Sequence, residues 1–428
     1  MESIVQQTVQ KSKIFFKALM IGGLILVLLI PAMLVQNLVK EREGRQQEAF
    51  EEVSSKWAGA QNITGPVLVL PYEEPVMAPG PVRSVRRQAY IMPDKLTIEG
   101  EIKPEERHRG IYQVMLYSSD LNISGQFNSI PLKQLRIDPA NVLWNEAHVC
   151  VDLQDVRGLK EEMQLKWNDS VVTLNPASVD NAVMKKAFTS PVSVSPDGRI
   201  NFSAKIRFNG SRELLFTPVG RETTVKLSSA WTEPSFTGGQ LPDHNVTKDG
   251  FTATWKSLSH TRTFPQAWKE TSYNLENASF GTSLFIPVNG YQKTMRSVKY
   301  AILCIVLTFA AFFIIEMVNK KSVHPIQYGL VGVALLMFYT LLLSFSEYIG
   351  FNMAYVVATV ATVGLIGWFV KGVLSSGKLS WLLSVLLALL YGYVFTILQL
   401  QDYSLLLGSI GLFATLAVIM HFCRKIQW

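Results

Sequence analysis

Residues 284–351 read LFIPVNGYQKTMRSVKYAILCIVLTFAAFFIIEMVNKKSVHPIQYGLVGVALLMFYTLLLSFSEYIGF, and within them a polar, strand-like region hands over to membrane. Positions 300–318 carry a single charge, Glu316, and at 1.5 Å rise per residue they cross roughly 30 Å of hydrocarbon. Asn319, Lys320 and Lys321 stop the run. Pro325 then opens a second apolar run, 326–345, at the position where a missing N–H costs a helix least. The stretch predicts two antiparallel membrane helices joined by a short basic loop.

Working outward, three further apolar runs follow at 351–370, 379–398 and 403–422, separated by very short loops that make each helix antiparallel to the next. Upstream, Lys11, Lys13 and Lys17 precede an apolar run at 18–35 with no small-x-small cleavage site after it, the layout of a retained signal anchor. Pro31 is placed to kink it. Phe50, Val53 and Trp57 recur at helical spacing among charged residues, so a helical stalk or linker is expected over 40–64.

Between 65 and 287 the period changes to two. In RINFSAKIRFNG, Phe202, Ala204, Ile206 and Phe208 fall on one face and Ser203, Lys205 and Arg207 on the other, as in a half-buried antiparallel sheet. Turn signals at Pro93-Asp94, Asn168-Asp169, Asn209-Gly210, Gly238-Gly239 and Asp249-Gly250 divide the runs into about ten strands. The predicted class is a mixed membrane protein. It has a cytoplasmic N-terminus and transmembrane anchor (1–39), the stalk (40–64), a large all-β, sandwich-like exported domain (65–296) and a C-terminal five-helix transmembrane bundle (297–428).

The strings NGYQKTMRSVKYAIL, HPIQYGLVGVALLMFYTLLLSFSEYIGFNMAY, LQLQDYSLLLGSIGLFATLAVIM and the terminal RKIQW resemble the CreD family of bacterial inner-membrane proteins, as do TTVKLSSAWTEPSFTGGQLPD and DGFTATW in the polar region. The resemblance implies an envelope protein tied to the regulon of the CreBC two-component system and to colicin tolerance. It implies no molecular activity, so the residues are read on their own terms.

Net charge of +7 does not point to nucleic acid, because the cations are scattered or flank membrane runs. Three cysteines, with Cys304 and Cys423 in or beside membrane runs, leave Cys150 alone in the polar region without a disulfide framework. That region has no HExxH, CxxC, G-x-S-x-G or glycine-rich phosphate loop, and His108, His148, His244 and His260 are not at metal-ligand spacing. Ser375-Ser376-Gly377-Lys378 matches S-x-x-K by letter only. No catalytic residue, cofactor or metal is expected.

Lysine and arginine in the short loops at 319–325, 371–378 and 423–428, against none at 346–350 and 399–402, place the first set in the cytoplasm. Six spans then put both termini inside and export 40–296. Lys293, Arg296 and Lys299 fall on the outer side, at the end of a long exported segment where the rule has little force.

Two groups of residues stand out. Trp231, Phe236, Phe251 and Trp255 bracket a glycine-rich loop suited to partner contact, against the plain reading that the tryptophans are core. Glu316, His324, Gln327, Glu347 and Asp402 are the polar groups in or beside the spans, either functional or serving as boundary markers and caps. The leading reading is a non-enzymatic inner-membrane envelope protein that contacts the lipid bilayer and envelope or membrane partners, oligomeric state open. The alternative is a transporter or lipid-handling protein with an exported receiving domain, and an uncommon hydrolase stands third.

Overall fold

The computed structural model describes residues 2–76, 83–176, 184, 187–195, 198–269, 273–284, 290–319, 323–400, 406–411, 413, 417 and 420. The chain divides into two compact units, 49–287 and a second made of 1–48 with 288–428.

Among the described residues the first unit holds sixteen strands. They are β1 (Gln61–Val76), β2 (Arg83–Ile91), β3 (Lys95–Arg109), β4 (Tyr112–Phe127), β5 (His148–Leu153), β6 (Met163–Trp167), β7 (Ser170–Pro176) and β8 (Ala187–Pro191). The series continues with β9 (Ile200–Ser211), β10 (Glu213–Thr217), β11 (Glu222–Ser229), β12 (Ser235–Gly238), β13 (Asp243–Thr247), β14 (Gly250–Leu258), β15 (Ala267–Lys269) and β16 (Phe280–Ser283). Neighbours run β12-β16-β10-β1-β5-β8-β7-β6-β9-β4-β3-β11-β14-β13, with β2 and β15 branching from β1. Pairing is antiparallel except for β1 with β10 and β3 with β11.

The two halves of this path face each other across one core. Trp255 of β14 stacks on Phe280 of β16 at 5.8 Å, and Phe127, Trp167 and Phe202 gather within 6.5 Å of one another. The alternation in β9 falls as its side chains require: Phe202, Ile206 and Phe208 are buried while Ser203, Lys205 and Arg207 are exposed. One turn expectation is corrected. Asn209 and Gly210 lie inside β9, and Gly210 is there because the Tyr117 ring occupies the place of a side chain; the corner falls at Arg212, with φ 64°.

Among the described residues the named α-helices are α1 (Glu2–Trp57), the single turn α2 (Leu132–Leu135) in the β unit, and α3 (Gly290–Lys299), α4 (Ala301–Asn319), α5 (Pro325–Ile349), α6 (Phe351–Leu374) and α7 (Gly377–Gln399) in the membrane unit. α1 is one helix through Pro31 that covers the expected stalk only to Trp57, since residues 61–64 already belong to β1. Among the described residues four helices are long and apolar enough to cross a bilayer, and α3 with α4, bent by 42°, makes a fifth candidate. The apolar run at 403–422 lies largely outside the described residues. Residues 290–296, read by pattern as part of the exported region, form the amphipathic start of the membrane unit.

Packing in this unit follows from which side chains are missing. Ile21, Leu28, Ala32, Val35 and Val39 give α1 one buried stripe, and Leu28 fills the space beside Gly332 of α5. The opposite faces carry Phe15, Leu26, Ile30, Trp368 and Trp381, exposed by 63% or more, which only a lipid surround makes favourable.

Candidate functional site

Glu316 sits in the last turn of α4, 6% exposed. Its Oε1 accepts from the Val323 N–H at 3.0 Å and from Lys17 Nζ, and its Oε2 accepts from the Tyr328 hydroxyl at 2.9 Å. Lys17 also donates to the Val323 carbonyl at 2.7 Å. Both carboxylate oxygens therefore have donors, drawn from α1, α5 and the α4–α5 connection, as an ionised group out of water requires. His324 and Gln327 act locally. His324 is the N-cap of α5, its Nδ1 accepts from the Ile326 N–H, and the Gln327 side chain accepts from the His324 N–H at 3.0 Å.

Glu347, near the far end of α5, is held the same way. Its Oε1 accepts from the Tyr291 hydroxyl of α3 at 2.9 Å and lies 3.9 Å from Arg42 Nε of α1. Lys17 and Arg42 stand about 37 Å apart along α1 at 1.5 Å per residue, a little more than the hydrocarbon thickness of roughly 30 Å. The remaining candidate in this group, Asp402, lies outside the described residues.

In the β unit, Phe251 and Trp255 are core residues, 3% and 0% exposed. Trp231 and Phe236 are half-buried at its margin. Trp231 donates through Nε1 to the Glu233 carbonyl at 2.7 Å, and Phe236 lies 4.8 Å from the His244 ring and 5.8 Å from both Phe251 and Trp255. Leu241, 77% exposed, and Val246, 44% exposed on the fully exposed strand β13, lie on either side of His244 in sequence. The surface part of the predicted group is thus Trp231 and Phe236.

A further constellation escaped the sequence reading. Arg157 donates to the Ser55 carbonyl at 2.7 Å, capping the C-terminus of α1, while Asp155 accepts from Arg157 and from the Gly59 N–H at 2.8 Å. The Arg157 guanidinium, with the backbone N–H groups of Gly59 and Arg157, holds the Asp155 carboxyl well below the usual range. Arg107 lies 5.3 Å over the Trp57 ring, and Arg109 pairs with Glu52 at 3.0 Å. The only advance signal was the helical spacing of Phe50, Val53 and Trp57.

Cys150 is fully buried, and burial pushes its thiol up to about 12, so it is a thiol rather than a nucleophilic thiolate at neutral pH. Burial, with the nearby Arg86 charge, lowers His148. Among the described residues no three His, Cys, Asp or Glu side chains are grouped so as to hold a metal ion.

The family model described as "Inner membrane protein CreD" matches residues 13–428. Inner membrane protein CreD of Escherichia coli (strain K12) is 30% identical over 426 residues, which cover 98% of this chain and 94% of that protein. Over nearly its whole length, therefore, the chain belongs to the CreD family of inner membrane proteins.

Proposed function

We propose that this protein is a non-enzymatic, multi-pass envelope protein whose β unit is periplasmic, whose termini are cytoplasmic, and whose work is contact with envelope components or membrane partners. Resemblance to the family adds the CreBC regulon and colicin tolerance as its setting. One observation carries the reading: among the described residues, the carboxylates Glu316 and Glu347 serve as structural ties, with both oxygens of Glu316 occupied and Glu347 held by Tyr291. A proton- or ion-coupled transporter needs such a group free to exchange its partner.

Partner contact is assigned to the half-buried Trp231 and Phe236 with the exposed Leu241 and Val246, an apolar margin beside an edge strand. Photo-crosslinkers placed at Leu241 and Val246 of the intact protein in its membrane test this. Discrete protein adducts support it, and none above the level at an exposed polar site such as Glu106 overturns it.

A transport reading has one observation in its favour. The hydroxyl of Tyr391, buried in the bundle beside Phe338, has no hydrogen-bond partner among the described residues, and that of Tyr339 faces only the Cys304 thiol. Loss of the phenotype in Tyr339→Phe or Tyr391→Phe, with the protein normally inserted, would move transport ahead.

A further inference from the structure

We propose that α3 is an interfacial helix whose basic face binds the phosphate headgroups of anionic phospholipids. Its two faces divide cleanly. Tyr291, Thr294, Ser297 and Val298 are buried against the bundle, whereas Gln292, Arg296 and Lys299 are exposed on the other side, with Lys293 at the flank.

Among the described residues, the cations of that face have no acid to neutralise them. Neither Arg296 nor Lys299 makes a hydrogen bond or ion pair to another described residue. Glu347, on the neighbouring end of α5, is already taken by Tyr291 and Arg42. Lys293 donates to Gln399 Oε1 at 3.5 Å and lies 5.5 Å over the Phe351 ring, contacts that leave its charge uncompensated. Asp402 lies outside the described residues.

The level of these groups selects the occupant. The apolar helix α4 begins at Ala301, so Arg296 and Lys299 stand within about 8 Å of its first residue. The headgroup layer adds roughly 5–8 Å on each side of the hydrocarbon, which puts both side chains among phosphates. The 42° bend between α3 and α4 turns the helix from the span direction toward the membrane plane, as an amphipathic surface helix lies. Exposed Tyr348, one residue beyond Glu347, is the aromatic found at that depth.

The test uses the full chain in detergent micelles with equal amounts of phosphatidylglycerol and phosphatidylcholine of identical acyl chains, counting bound lipid by native mass spectrometry. Phosphatidylglycerol should be retained preferentially. Arg296→Gln with Lys299→Gln should cut its retention roughly 10- to 30-fold, while Arg296→Lys with Lys299→Arg keeps it. Raising NaCl on the unaltered protein should erase the preference, a measurement that decides the matter even if the Gln variant does not fold. Equal retention of the two lipids, a Gln variant that binds like the parent, or full competition by glycerol phosphate at matched concentration would each overturn the proposal, the last by assigning the face to soluble phosphate.

Discussion

Lys17 and Glu316, 299 positions apart in the chain, form a partly buried ion pair that ties α1 to the end of α4. The pair is closed by Tyr328 and by the backbone of Val323, so removing one member strands the other rather than deleting a contact.

Glu316→Ala should therefore destabilise the full chain by about 1–3 kcal/mol in mixed-micelle unfolding, and Lys17→Met together with Glu316→Leu should cost less than the two singles added. Strict additivity would mean that the pair does not hold the helices together.

Gly332 faces Leu28 and Phe309, whereas a side chain at Gly329 would meet only Leu24 at ordinary contact distance, 3.8 Å. Gly332→Val should cost about 1–3 kcal/mol through overpacking, and Gly329→Ala should be nearly silent. Equal effects in the same unfolding assay would argue against α1 packing on this stripe of α5.

These two contacts mark the limit of what the sequence discloses. The strand faces of β9 were legible because alternation of Phe202, Ile206 and Phe208 with Ser203, Lys205 and Arg207 is a local property. β13, exposed at every position, has no burial pattern to read, and β12 is too short to show one. His324 and Gln327 stood out as polar groups beside Pro325, and their capping geometry needs only neighbours in sequence. The cations that reach Glu316 and Glu347 come from α1, far away in sequence, and no spacing rule connects Lys17 to one or Arg42 to the other.

The Asp155 tie sets a pH dependence. Its folded carboxyl is depressed below the unfolded value of roughly 3.9, so the stability it supplies is complete above that value and is lost as pH falls toward the folded one. Thermal unfolding of the β unit should weaken from about pH 4 downward, and Asp155→Asn should weaken less over that range while starting lower at pH 7. A parallel fall in both proteins would assign the acid sensitivity elsewhere.

Residues 49–287 enclose their own core, and Cys150 is buried within it as a free thiol. The excised unit should be soluble and β-rich by circular dichroism, with a Tm unmoved by reductant. Iodoacetamide at about pH 8 should modify Cys150 only in denaturant. Rapid labelling of the native unit would show that the thiol is not enclosed.

The phenotype should be sensitive at surfaces and tolerant at single charges. Glu316→Gln keeps the shape of the group and one of its two acceptor oxygens, and Glu347→Gln keeps one for Tyr291, so each variant should insert normally and retain most of any colicin or detergent tolerance seen on overproduction. Trp231→Ala with Phe236→Ala strips the half-buried margin next to β13 while leaving Phe251 and Trp255 in the core, and should weaken that tolerance more. Survival under challenge is the measurement, with abundance and protease resistance checked for every variant so that misfolding is not scored as lost contact. A transporter predicts the reverse order, because one exchangeable carboxylate carries its coupling. If Glu316→Gln alone abolishes tolerance at normal abundance while the aromatic double variant survives, the contact reading fails.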